Sequence, residues 1–204
     1  MKQKSICTWL ITIFVTLLFY QVYIMLGSAI PSISKITGSE IETVRTAYRY
    51  VNLLIYCVPL FGWLMTGVCL YRIKNRQQQI TGMLLMAYAI ICLTWQIVAI
   101  INISTPAVAI PRPAYITLSL LTTILLCASL IMVGNNKENK SFRRLAIAYT
   151  VTEIIASSMH IAAQFQNDDN YTLLAWYSVF SAIGLIILFV YLYKWIKSCK
   201  NEQS

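Results

Sequence analysis

Residues 142–165 read FRRLAIAYTVTEIIASSMHIAAQF, and this apolar stretch decides the class of the whole chain. It contains Glu153, the only acidic residue inside any apolar segment, and His160, the only histidine of the chain. At about 100° per residue, a helix over this stretch gathers its main polar side chains within a wedge of roughly 80°. The members of this wedge are Tyr149, Glu153, Ser157, His160 and Gln164. Such a polar stripe on an apolar helix favours contact with protein rather than with lipid.

The composition of the chain is that of a membrane protein. Of its 204 residues, 58% are hydrophobic and 11% are charged, whereas soluble domains carry about 25% charged residues. The net charge of +9 would indicate nucleic-acid binding in a soluble protein. Here the basic residues form short clusters at the ends of apolar runs, which is information about membrane topology. Nucleic acid is therefore not an expected partner.

Six apolar runs are each long enough to cross a hydrocarbon core of about 30 Å, which needs about 20 residues. The first run exceeds a signal-peptide core of about 7–15 residues, so we expect an uncleaved span that ends before Pro31. The sequence predicts a single bundle over residues 1–204, an all-α polytopic integral membrane protein with six transmembrane helices. The predicted spans are residues 7–30, 50–73, 80–103, 114–134, 142–165 and 171–196.

The lysine and arginine residues predict the orientation of these spans. With the N-terminus in the cytoplasm, twelve of them fall in inside segments and four fall outside. This bias follows the rule that basic residues concentrate on the cytoplasmic side. We therefore expect both termini in the cytoplasm, N-in and C-in. The compactness of the chain favours a bacterial cytoplasmic (inner) membrane.

The longest outer loop predicts a helix that begins outside the membrane. Ser39 and Glu42 have the S-x-x-E spacing of a capping box, and apolar residues recur at helical spacing after them. The second spanning helix is therefore expected to carry an outer-side extension over about residues 40–49. Glu42 and Arg45 lie three residues apart, which predicts a solvated ion pair on this extension.

The polar residues of the spans separate into two depths. At about 1.5 Å per residue, Glu153 lies roughly 13 Å from the cytoplasmic end of its helix, level with Tyr88 in the third span. His160 lies about 10 Å further out, level with Gln96 in the third span and Gln21 in the first. If the first, third and fifth spans are adjacent, these three side chains form one outer-leaflet cluster above Glu153 and Tyr88.

Two interpretations of this polar seam remain open at the level of sequence. A carboxylate in mid-membrane costs about 2.5–3.5 kcal/mol, so an intramembrane glutamate is a functional-site hypothesis by default. In the functional interpretation, Glu153 exchanges a proton and His160 is a second station, with Ser157 or water between them. In the structural interpretation, Glu153 stays protonated and donates to a threonine or tyrosine, while His160 and the amides join neighbouring helices.

The sequence contains no catalytic or metal-binding motif. There is no H-E-x-x-H, no G-x-S-x-G and no pair of intramembrane aspartates, so an enzyme is not expected. Glu153 and His160, seven residues apart, lack a third ligand on the same helix, and one histidine cannot ligate a haem on both sides. The six cysteines have no ligand-type spacing and are expected to be apolar thiols. We expect no metal and no cofactor.

Two functions fit this sequence. The first is a small permease-like protein that handles a small solute or protons through the seam on the fifth span. The second is a non-catalytic membrane partner, such as an assembly, regulatory, sensing or immunity-type subunit. Besides the lipid bilayer, the expected partners are other membrane proteins or further copies of the chain.

Overall fold

The computed structural model describes residues 2–104, 111–136, 140–165 and 171–201. In these ranges the chain forms α-helices and one short 3-10 turn, and it contains no strand. All helices except the second are long and apolar enough to span a membrane, which confirms the predicted all-α fold with six spans. The helices are α1 Lys2–Met25, α2 Ile30–Thr37, α3 Ile41–Tyr71, α4 Arg76–Ser104, α5 Arg112–Asn136, α6 Lys140–Phe165 and α7 Tyr171–Asn201.

The six long helices stand in a closed ring. Helices α1, α3, α4, α5, α6 and α7 each pack against the next, and α7 returns to pack against α1. In the described part of the chain, no helix packs extensively on one across the ring. Because neighbours joined by short connections run in opposite directions, the start of α1 and the end of α7 share one end of the ring. That end carries Lys4, Arg72, Arg144 and Lys200 and is called the basic end, and the opposite one is called the outer end.

The buried core fills the ring at its basic end. The Tyr191 hydroxyl donates a hydrogen bond of 2.8 Å to the Leu130 carbonyl and so ties α7 to α5 across the ring. A Cβ added to Gly82 would lie 2.6 Å from the Gly67 carbonyl oxygen, so these glycines let the backbones of α4 and α3 touch. Packed side chains therefore close this end. The buried hydrophobic residues of the core lie within residues 6–17, 60–70, 85–89, 126–133, 142–149 and 188–199.

The first helix ends earlier than its sequence predicts. α1 stops at Met25, and Pro31 lies in the first turn of α2 instead of ending α1. Proline suits a first turn because its missing N–H has no partner there. The Tyr48 hydroxyl donates to the Ile24 carbonyl at 3.0 Å and fixes the end of α1 against α3. The turn between α1 and α2 thus takes the place of the last residues of the predicted span.

The extension before the second span is helical, but the capping box does not form. α3 begins at Ile41 and continues to Tyr71 without a break. Its N-cap is Glu40, and no side chain caps it. Glu42 bonds Arg45 instead, with Arg45 Nη1 and Glu42 Oε2 2.6 Å apart on an exposed surface. Because the N-cap is Glu40 and not Ser39, Glu42 lies at the second helical position instead of the third, which the predicted capping box requires.

Candidate functional site: a cavity inside the helix ring

A cavity of about 470 Å³ lies inside the ring, above the packed core. Every spanning helix contributes to its wall. Its volume falls in the range of about 300–1,000 Å³ that is typical of sites for small ligands. Five tyrosines and one carboxyl group are among the described residues of its wall. These side chains are Tyr20, Tyr56, Tyr88, Tyr149, Tyr177 and Glu153.

The cavity extends from the middle of the ring toward the outer end. On the core side its floor includes Trp63, which is 2% exposed, and Leu60, which is 1% exposed. On the other side it reaches Ile24, one residue before the end of α1. Along α7 the lining runs from Tyr177 to Leu188, a rise of about 16 Å. The cavity is therefore a deep pocket with a closed floor, and it approaches the outer end of the ring.

Among the lining residues that the structure describes, Glu153 is the only one with a charged side chain. It is half-buried, and Tyr149, one turn earlier, lies next to it on the same face of α6. On its other side the carboxyl group lies against Gly184 of α7, where an added Cβ would be 2.8 Å from Glu153 Oε1. The acid thus occupies a gap between α6 and α7 that exists because residue 184 has no side chain.

A second group of phenols lines the cavity from three other helices. Tyr56 of α3 and Tyr88 of α4 both line this part of the wall. The ring of Tyr56 also packs on that of Tyr20 of α1, with centroids 4.8 Å apart. Since a phenol can both donate and accept, this wall offers partners to polar groups of either kind.

His160 lies beside the cavity and not in its wall. Its ring packs against Tyr177 of α7, with centroids 4.8 Å apart, and against Tyr115 of α5, at 6.3 Å. Tyr177 itself lines the cavity. His160 therefore reaches the cavity through the Tyr177 ring and joins α5, α6 and α7.

A smaller chamber of about 180 Å³ adjoins the cavity. It is lined mainly by α4 and α5, and it holds Gln96, Trp95 and Tyr115. The two spaces share Tyr56, Cys92 and Thr122 as wall residues. Gln96 is thus separated from Glu153 by this shared wall.

The structure distributes the predicted site residues over several environments. Tyr149, Glu153, Tyr88 and Gln21 all line the cavity. Ser157 is half-buried and is not among the lining residues. The side chain at the predicted position Gln164 lies outside the described part of the chain.

The adjacency considered for the first, third and fifth spans is not found. These are α1, α4 and α6, and they alternate with α3, α5 and α7 around the ring. Gln21, Gln96 and His160 consequently do not form one cluster. Gln21 lines the cavity, Gln96 lines the smaller chamber, and His160 packs between two tyrosines.

Sequence reasoning missed four residues of the site: Tyr20, Tyr56, Tyr177 and Gly184. The three tyrosines line the cavity, although none of them is among the polar residues selected from the sequence. For Gly184, a signal was present in the run Ser181, Ala182, Gly184, because small residues in a membrane helix mark a close contact.

The residues of the site show no arrangement for a metal. Within the described ranges, no three histidine, cysteine, aspartate or glutamate side chains lie close enough to hold one ion.

Comparison of the chain with protein-family models, curated proteins and solved structures gave no match. The fold and the site therefore define a class only: the chain is a multi-pass integral membrane protein with a polar cavity inside a ring of six helices.

Proposed function

We propose that the protein is permease-like and carries a small solute, or protons, by way of the cavity that contains Glu153. The observation that carries this proposal is the cavity itself, a space of about 470 Å³ walled by all six spans, with one carboxyl group in it. Polar groups inside a membrane bundle are expensive, and they are typical of substrate and ion pathways. A purely structural bundle would gain dispersion energy by filling such a space with side chains.

The unequal packing of the two ends supports a carrier more than an open pore. Trp63 and Leu60 form the floor, and Tyr191 bonds across the ring below them. A solute that reaches Glu153 from the outer end cannot continue unless this packed half opens. Alternating exposure of a fixed site to the two sides is how secondary transporters work.

The function is tested with purified protein in liposomes. Vesicles are incubated in a defined mixture of small neutral, cationic and anionic solutes, and their contents are measured by mass spectrometry. We expect at least one solute to accumulate in vesicles with the wild-type protein, at a rate that depends on pH. Glu153→Gln should abolish this accumulation while the protein stays monodisperse and helical. Glu42→Gln, which changes an exposed glutamate on α3, is the matched control.

The opposite outcome would favour the non-catalytic partner. Accumulation that is equal in wild-type, Glu153→Gln and protein-free vesicles would refute a permease. Native mass spectrometry of gently solubilised protein then distinguishes the remaining possibilities, because a partner subunit should travel with a second membrane protein or another copy of the chain.

A further inference from the structure

We infer that the solute is a small organic monocation, such as a protonated or quaternary amine, which exchanges with a proton at Glu153. Its charged group would lie between the Glu153 carboxylate and the surrounding tyrosines. The inference deepens the proposed function and rests on it for transport, but binding at this site can be tested separately.

The charge of the cavity wall supports a cation. Within the described part of the wall, Glu153 is the only group that is readily negative, and no lysine or arginine lines the cavity there. A carboxylate removed from water is unstable unless a positive partner and hydrogen bonds compensate for the lost hydration. The described lining residues place the Tyr149 phenol beside the acid but supply no positive charge. A proton or a cation from solution can compensate the negative charge of the acid.

The aromatic content of the wall selects an organic cation. Five tyrosines and Trp63 line the same space as the carboxyl group. Aromatic rings attract ammonium groups through their negative faces, and the attraction is greatest where water is excluded. A small metal ion would prefer a shell of several oxygen ligands, including carboxylates, and the wall has one carboxylate. An anion would meet a negative group without a positive one.

Proton and cation compete for one carboxyl group. When the cation binds, the O–H bond of the neutral acid breaks, the cation pairs with the carboxylate, and one proton leaves to solvent. No other acid in the wall competes for this role, because the remaining titratable groups are phenols and a thiol that stay neutral near pH 7. His160 packs on Tyr177, which lines the same cavity as the acid. Cys127 of α5 also lies close enough to interact with the acid. The titratable groups that share the cavity with the acid are Tyr20 of α1, Tyr56 of α3, Tyr88 and Cys92 of α4, Tyr149 of α6 and Tyr177 of α7.

The decisive experiment compares two molecules of one shape. Choline is titrated calorimetrically into the detergent-solubilised protein, followed by its neutral isostere, in which carbon replaces the quaternary nitrogen. We expect choline to bind at least about tenfold more tightly than the isostere. Repeating the titration in buffers of different ionisation enthalpy gives the number of protons released, which should approach one where the acid is protonated. In that pH range the affinity for choline should rise about tenfold per pH unit.

Two variants test the role of the acid. Glu153→Gln should lose the preference for choline over the isostere and should release no proton. Glu153→Asp keeps the charge and should retain the preference. If neither variant folds, the comparison of the two ligands and the proton count on the wild-type protein still decide the question. Equal binding of choline and the isostere, or choline binding without proton release at any pH, would overturn the inference.

Failure of the inference differs from failure of the proposed function. If a neutral or anionic solute accumulates in a Glu153-dependent way while choline neither binds nor enters, the inference is wrong and the permease stands. If choline binds with proton release but no solute crosses the membrane, the site is correct and the permease is wrong.

Discussion

Replacing Gly184 by alanine would place a methyl group against the acid of the cavity. The added Cβ would lie 2.8 Å from Glu153 Oε1 and 3.3 Å from Thr152 Oγ1, and ordinary contact begins at 3.4 Å. The nearest atom is the far end of a flexible side chain, which can rotate into the cavity. We expect this rotation to cost at most about 1 kcal/mol, and the better helix propensity of alanine offsets about the same amount. The free energy of unfolding should therefore change little.

The same substitution at Gly82 should have a much larger effect on stability. There the Cβ would lie 2.6 Å from both the Gly67 carbonyl oxygen and the Tyr71 nitrogen, about 0.8 Å closer than ordinary contact. These are backbone atoms of α3, so the two helices must separate. Overpacking of this kind costs about 1–3 kcal/mol, and a gap of 0.5–1 Å along the crossing removes a quarter to a half of each dispersion contact. The gain in helix propensity is the same as at Gly184. The difference in the free energy of unfolding between the two variants therefore reports the effect of the contact between α3 and α4.

The assay is unfolding of both variants in mixed micelles of a mild detergent and SDS, followed by circular dichroism. We expect Gly82→Ala to be less stable than Gly184→Ala by about 2 kcal/mol. Gly184→Ala should still alter choline binding, because the added methyl group displaces the Glu153 carboxyl group from its place between α6 and α7. If Gly184→Ala is destabilised as strongly as Gly82→Ala, then Glu153 is not free to move and the packing described around it is wrong.

Three further predictions follow from single contacts. Tyr191→Phe removes the buried bond to the Leu130 carbonyl and should lower the free energy of unfolding by about 0.6–1.5 kcal/mol; an unchanged stability would show that the bond contributes nothing. In single-cysteine variants, a water-soluble thiol reagent should modify Cys92, which lines the cavity, faster than the buried Cys127, and choline should slow that reaction; equal rates would mean that the cavity is closed to water. Glu42→Gln removes an exposed ion pair and should change the free energy of unfolding by less than about 1 kcal/mol, with less effect at high salt; a larger change would indicate a further role for the outer extension of α3.

The sequence predicted the fold because hydropathy acts locally. Each span had to be about 20 apolar residues long to cross the membrane, and each helix satisfies its own backbone hydrogen bonds. The predictions were wrong at helix ends, where a few residues decide between two local structures. Pro31 lies in the first turn of α2 instead of ending α1, and the predicted capping box of α3 does not form, although the predicted ion pair of Glu42 and Arg45 does. In both places two favourable local arrangements compete, and the difference between them is small.

The site was predicted only in part because it depends on which helices are neighbours. Glu153, Tyr149, Tyr88 and Gln21 were selected by polarity and depth, and all of them line the cavity. Polarity and depth do not specify where a side chain lies around the ring of helices. They could not place His160 behind Tyr177 rather than in the wall.

By itself, the sequence determined that the chain crosses a membrane six times and that one acid lies at mid-depth, because both follow from the cost of exposing polar groups to lipid. Only the tertiary structure decided that the helices close into a ring in chain order and leave a space at its centre. It also decided that five tyrosines surround the acid and that Gly184 makes room for it. These features depend on packing between side chains that are far apart in sequence, and no periodicity within one helix encodes them.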